Sequence, residues 1–242
     1  MKKVAIVTGA SRGIGRAIAL RLAREGFAVV VNYVHHPREA EKAVCEIKEE
    51  GKVAIAVQAD VSKPTDVARL FDLAEHTFGG VDVLVNNAGI MPAKSIVEME
   101  NGLFERTFAV NVRGTFNTLK QAAERLRPGG RIVNLSSAAV AFGLPKYAVY
   151  NASKAAVDAL TKTLAAEFRG RDITLNAVAP GPTATDLFFD EKSDEHVIDF
   201  ASRAPMERLG TPEDIANVVA FLTGPEGGWI NGQTIRSTGG LG

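Results

Sequence analysis

Cysteine, tryptophan and uncompensated charge are all scarce in this 242-residue sequence. The single cysteine, Cys45, excludes an internal disulfide. It sits in a polar helical segment and reads as a small helix residue, not a nucleophile. A reducing, cytoplasmic compartment fits it. Lys plus Arg and Asp plus Glu number 28 each, so the formal charge is zero. With no long run of one sign, neither nucleic acid nor a membrane surface is expected as a partner. No apolar run reaches the roughly 18 residues of a membrane span. The start, Lys2-Lys3 followed by Val4 to Val7, has the charge order of a signal peptide. Thr8-Gly9 breaks its apolar run and Arg12 follows, so a strand is expected there instead. The four histidines, His35, His36, His76 and His196, make no ligand spacing with cysteine or carboxylate, and no metal is expected. Linkers, repeats and low-complexity tracts are missing too, which predicts one domain over 1–242.

What is present is an alternation. Val4–Val7, Phe27–Val31, Val53–Val57, Val81–Val85, Arg131–Leu135 and Ile173–Val178 are short apolar runs suited to strands buried on both faces. Gln233–Arg236 is expected as a last short strand. Helical patterns fill the gaps: Ile14, Ile18, Leu22 and Ala23 on one face, then Pro37–Glu50, Pro64–Phe78, Gly102–Leu126 and Tyr147–Phe168. A further helix starts at Thr211, the expected N-cap, with Pro212 at its first position and its end near Leu222. This predicts an α/β fold: a doubly wound parallel sheet of about seven strands with helices on both faces. Such sheets bind ligands beyond the carboxyl ends of their strands. Polar and glycine residues gather there: Gly9 to Gly15, Asn32-Tyr33, Asp60, Asn86 to Gly89, Ser136-Ser137 and Pro180 to Thr183.

Thr8-Gly9-Ala10-Ser11-Arg12-Gly13-Ile14-Gly15 links the first strand to the first helix. Glycines permit a tight turn and close approach, and a helix start favours a phosphate. An ordinary tight turn is the plainer alternative. The second strand ends Asn32-Tyr33 without a carboxylate, while Arg12, His35, His36 and Arg38 offer cations. That favours a 2′-phosphate, hence NADP(H) over NAD(H). Asn87-Ala88-Gly89 is small enough for a flat ring or ribose to pack on backbone. Asn111 lies in a helical pattern, where asparagine is a poor former; it is either a buried residue at a kink or a polar group of the site. Pro180-Gly181-Pro182-Thr183 is a rigid turn. Tyr150 and Lys154 stand four apart, on one helical face. A free tyrosine titrates near about 10, and a fixed positive charge nearby favours its phenolate. By themselves the two also fit a half-buried tyrosine and a solvated lysine.

Together these residues resemble the short-chain dehydrogenase/reductase family, and its 3-oxoacyl-carrier-protein-reductase-like members especially. The resemblance rests on Thr8-Gly9-x-x-x-Gly13-x-Gly15, Asn86-Asn87-Ala88-Gly89, Asn111, Ser137, Tyr150-x-x-x-Lys154 and Pro180-Gly181. It implies a Rossmann-type domain holding both cofactor and substrate. It implies Tyr150 as proton donor in carbonyl reduction, or base in the reverse oxidation. Lys154 holds the nicotinamide ribose and lowers the phenol's pKa, Ser137 bonds the substrate oxygen, and Asn111 holds a water in a proton relay. Gly9, Ser11, Arg12, Gly13, Ile14 and Gly15 take the phosphates, Asn32 and Tyr33 the adenosine ribose end, and Asp60 with Val61 the adenine. Asn87, Ala88, Gly89, Pro180, Gly181 and Thr183 complete the cofactor set. The implied substrate is a ketone, aldehyde or 3-oxoacyl thioester. Residues 185–204 are implied as a substrate lid with Leu187, Phe188 and Phe189 as an apolar wall. The two long helices are implied as the contact surface of a homotetramer or homodimer. Ser237-Thr238-Gly239-Gly240 departs from the family in lacking the asparagine or aspartate before the double glycine. A catalytically silent dinucleotide sensor or scaffold would not need Asn111, Ser137, Tyr150 and Lys154 together. An NAD-dependent alcohol or sugar dehydrogenase is the alternative on the same chassis; a sugar epimerase would carry a larger C-terminal region than this one.

Overall fold

The structure, a computed structural model, describes residues 2–190 and 193–241. Seven parallel strands form one sheet: β1 (Val4–Val7), β2 (Ala28–Tyr33), β3 (Ala54–Gln58), β4 (Val81–Asn86), β5 (Leu126–Leu135), β6 (Thr174–Pro180) and β7 (Thr234–Ser237). Their order is β3-β2-β1-β4-β5-β6-β7. The order reverses at β1/β4, where a ligand crevice belongs in such sheets. Sequence and structure agree on this architecture. All four residues of β1 are buried, Val4 and Ile6 on one face, Ala5 and Val7 on the other. One face is covered by α1 (Gly13–Arg24), α2 (Pro37–Glu49) and α10 (Pro212–Thr223). The other is covered by α3 (Pro64–Phe78), α5 (Gly114–Arg125) and α7 (Ala148–Glu167). Helix α10 has the expected cap: Asp214 N donates to Thr211 Oγ1, and Thr211 N donates to Asp214 Oδ2.

Two expectations are corrected. The helix expected over Gly102–Leu126 is α4 (Asn101–Phe108), then a π-helical segment, Ala109–Arg113, then α5. The bulge is centred on Asn111, and such bulges gather at functional sites. Strand β5 begins at Leu126, earlier than Arg131, with a register irregularity against β4 that takes up Pro128-Gly129-Gly130. Segment 185–204 contains two helices, α8 (Asp186–Phe189) and α9 (Asp194–Arg203), capped by Thr185 and Ser193. Residues 191–192 of that segment lie outside the described residues. A four-residue helix, α6 (Ala139–Phe142), stands between β5 and α7. The departure at Ser237 leaves β7 paired with β6. Gly239 and Gly240 both take positive φ and pack on Met206 and Pro205.

Candidate active site

At the β1/β4 reversal the two loops are stitched to each other. Thr8 Oγ1 accepts from Asn87 N at 2.9 Å and Ala88 N at 3.0 Å. Asn87 Nδ2 donates to Thr8 O and Gly9 O. Gly9 has φ +60°, and a Cβ there would lie 2.9 Å from Ala88 Cα. That position therefore needs glycine on two grounds, conformation and close approach. Helix α1 starts with Arg12 as N-cap, no side-chain cap bond and no acid in its first turn. A groove runs over this start, lined by Gly9, Ser11, Arg12, Gly13, Ile14 and Gly15. Tyr33, His35, His36, Asp60, Val61 and Asn87 to Gly89 line it as well.

Asn32 is not on that groove. It is fully buried, and its Oδ1 accepts from Gly9 N. Its Nδ2 donates to Val57 O at 3.2 Å and Ala59 O at 2.9 Å. The expected contact residue is thus a brace between three strand ends. Arg38 lies off the groove as well, on the outer side of α2. Asp60 Oδ1 accepts from Ser62 N and Oγ, which fixes the turn before α3.

Next to the groove lies a smaller pocket, sharing Ile14, Asn87, Gly89, Ile90, Thr185 and Leu187 with it. Tyr150, Lys154, Ser136, Ser137, Pro180, Gly181 and Thr183 line this pocket. Tyr150 is buried and lines the pocket with Ser137. Burial raises the phenol's pKa; Ser137 pulls it back in part, and Tyr147 adds to the rise. The expectation of a lowered phenol is therefore corrected. The Lys154 ammonium lies 6.0 Å from the Tyr150 ring centre and donates to Leu135 O at 2.6 Å. Burial of Lys154 lowers its own pKa to about 8, with Asp158 opposing. Ser136 Oγ is buried without a hydrogen-bond partner.

Asn111 lines neither cavity. Its Oδ1 accepts from Ile90 N, and its Nδ2 donates to Ile90 O and Ser153 Oγ, each at 2.9 Å. Ser153 Oγ in turn donates to Tyr150 O at 2.6 Å. Asn111 thus ties the loop after β4 to the first turn of α7. Phe142, Leu144, Tyr147 and Phe200 also line the pocket and were not singled out by the sequence, being apolar or aromatic residues of α6, α9 and the turn between α6 and α7.

With this fold and this set of residues, the chain is an oxidoreductase of the short-chain dehydrogenase/reductase family, to which it belongs. The family model described as enoyl-(acyl carrier protein) reductase matches residues 9–242. The chain is 47% identical to a short-chain type dehydrogenase/reductase of Picea abies, covering 98% of this chain and 92% of that one. It is 45% identical to an NADPH-dependent aldehyde reductase-like protein, chloroplastic, of Arabidopsis thaliana, covering 98% and 93%. A solved short chain dehydrogenase of Burkholderia cenocepacia J2315 in complex with NADP superposes with a TM-score of 0.92. It is 40% identical over 98% of this chain and 97% of that one.

Proposed function

We propose that this single domain reduces a small ketone or aldehyde to the alcohol, reversibly, with NADP(H) as its preferred cofactor. The observation that carries the reading is the buried Tyr150 with Ser137 and Lys154 lining the same pocket, which shares a wall with the groove. The groove's residues fit a dinucleotide. The first turn of α1 is free of acids and its N–H groups are uncapped by side chains, as a phosphate requires. Arg12, His35 and His36 line the end where β2 supplies no carboxylate. Ser136 offers an unpartnered hydroxyl in the pocket. The NADPH dependence named for the Arabidopsis relative and the NADP bound by the Burkholderia protein support the same cofactor.

When bound, the nucleotide supplies the hydride that the carbonyl carbon gains. Tyr150 donates the proton to the carbonyl oxygen. Its raised pKa keeps it protonated at neutral pH, the form that reduction needs. Ser137 bonds the same oxygen and orients it. Lys154, fixed by Leu135 O, holds the ribose and stabilises the phenolate left behind; at about 8 its ammonium can also return a proton to Tyr150. Asp60 and Val61 take the adenine end, and Pro180, Gly181 and Thr183 the nicotinamide end. Asn111 is a positioning residue here, holding Ile90 and α7 in place. Segment 185–204 serves as the lid. A reducing, cytoplasmic setting remains part of the proposal, on the strength of Cys45 alone.

The cofactor half is tested by comparing NADPH and NADH in kcat/KM and in Kd by fluorescence. NADPH is expected to win by at least about 10-fold, and Arg12→Ala to erase most of that margin, as loss of one charge-assisted phosphate bond implies. A preference for NADH in the unaltered protein would remove NADP(H) from the proposal. The proposal extends to a homodimer or homotetramer through α5 and α7, where Phe116 is 50% exposed beside Leu160 and Leu164. Light scattering should give at least twice the single-chain mass, and a mass of one chain would refute it.

A further inference from the structure

The pocket, about 150 Å³, is shared: Lys154, Pro180, Gly181 and Thr183, which would hold the nicotinamide end, line it together with the acceptor's walls. Its walls away from Tyr150 are Met91, Phe142, Leu144, Leu187, Phe188 and Phe200. Phe188 and Phe200 meet edge to face, 5.6 Å between centres at 75°, so α8 and α9 present one aromatic surface. Among the described lining residues only Lys154 carries a charge, and its ammonium donates to Leu135 O. A carboxylate or phosphate brought inside would lose its water and gain no cation of its own. Lys94 and Lys146 lie outside the lining and are close enough to Glu98 to lower its pKa.

We infer that the acceptor is an uncharged, compact carbonyl compound with an aryl or similarly apolar group beside the carbonyl. Acceptors bearing an anionic group there, and thioesters on a phosphorylated carrier, are poor substrates. The inference rests on the carbonyl-reductase reading and narrows it. The chemical step is unchanged: the carbonyl carbon gains a hydride from reduced nicotinamide, the oxygen gains the Tyr150 proton, and alcohol and oxidised nucleotide leave.

The test uses the full chain with NADPH and three acceptors: benzaldehyde, 4-carboxybenzaldehyde and acetoacetyl-coenzyme A. Benzaldehyde is expected to exceed both others in kcat/KM by roughly 100-fold, the scale of an unpaired buried charge. Leu187→Arg places a cation at a wall position that is already 40% exposed. It should close the gap between the two aldehydes by about 10-fold or more, as a new paired charge allows. Saturation-transfer NMR without nucleotide is the second readout. Benzyl alcohol should bind and 4-carboxybenzyl alcohol should not. Equal turnover of the charged aldehyde, or faster turnover of the thioester, overturns the inference and leaves the reductase reading standing. NADPH binding without oxidation by any acceptor overturns the reductase reading instead. The NMR comparison then still decides whether the pocket excludes anions.

Discussion

Tyr150→Phe is expected to lower kcat for carbonyl reduction by about 10²–10⁴-fold, the range that a positioned general acid supplies. The change removes one oxygen from a side chain that is otherwise apolar and buried. The ring's packing is kept, including its edge-to-face contact with Tyr147 at 6.3 Å. The hydroxyl of Ser137 still accepts from Ala139 N at 3.2 Å. The fold should therefore change in stability by no more than about 1 kcal/mol, the net worth of one hydrogen bond. NADPH affinity should stay within about 3-fold of the original, because the groove's phosphate-binding end lies on other elements. A variant that turns over at an unreduced rate would remove Tyr150 from the mechanism. A variant with equally poor nucleotide affinity would show that the hydroxyl acts through nucleotide binding and not as the proton donor.

Lys154→Met separates function from stability. Activity should fall by about 10²-fold or more through loss of the charge that stabilises the phenolate. Stability should rise. In the unfolded chain the ammonium titrates at the ordinary 10.5, and in the fold at about 8. Below about pH 8 both states are protonated, and the fold carries the full cost of a desolvated charge. A tenfold difference in proton affinity is worth about 1.4 kcal/mol, so the fall from 10.5 to about 8 sets that cost at about 3 kcal/mol. Leaving Leu135 O without its donor returns about 1–3 kcal/mol of it. The net gain expected at pH 7 is at most about 2 kcal/mol. Between about 8 and 10.5 the unfolded state holds the proton that the fold has released, so the original protein gains stability as pH rises and the variant does not. Urea unfolding of both proteins at pH 7 and pH 10 measures this. A gap between the two that does not shrink at pH 10 would show that Lys154 is not the group titrating. In the same window, reduction by the unaltered enzyme should decline above about pH 8, as Lys154 loses its charge.

Much of the architecture was legible because it is local. The apolar runs at Val4–Val7 and Val81–Val85 mark strands buried on both faces, and Gly9, Gly13 and Gly15 mark a turn that few other residues can make. The four-residue spacing of Tyr150 and Lys154 holds on any helix, and α7 carries both into one pocket. Asn111 stood out as a polar residue in a helical pattern, but its pattern did not disclose the π-helical segment. That segment is where the amide of Asn111 bridges Ile90 and Ser153, which lie on two other elements. Asn32 carried the same kind of signal as a groove residue, yet its burial between Gly9, Val57 and Ala59 comes from the pairing of β2 with β3.

By itself the sequence determined the order of strands and helices along the chain, the glycine loop, and the four-residue spacing of Tyr150 and Lys154. Each of these depends on residues within a turn or two of one another. The tertiary structure decided the direction of both pKa shifts, the apolar character of the pocket, and the conversion of Asn32 from contact to brace. Those are properties of desolvation and packing. Tyr150 is raised and Lys154 lowered because the chain folds over both and removes their water. The pocket's lining, from Ile14 to Phe200, comes from segments far apart in the chain.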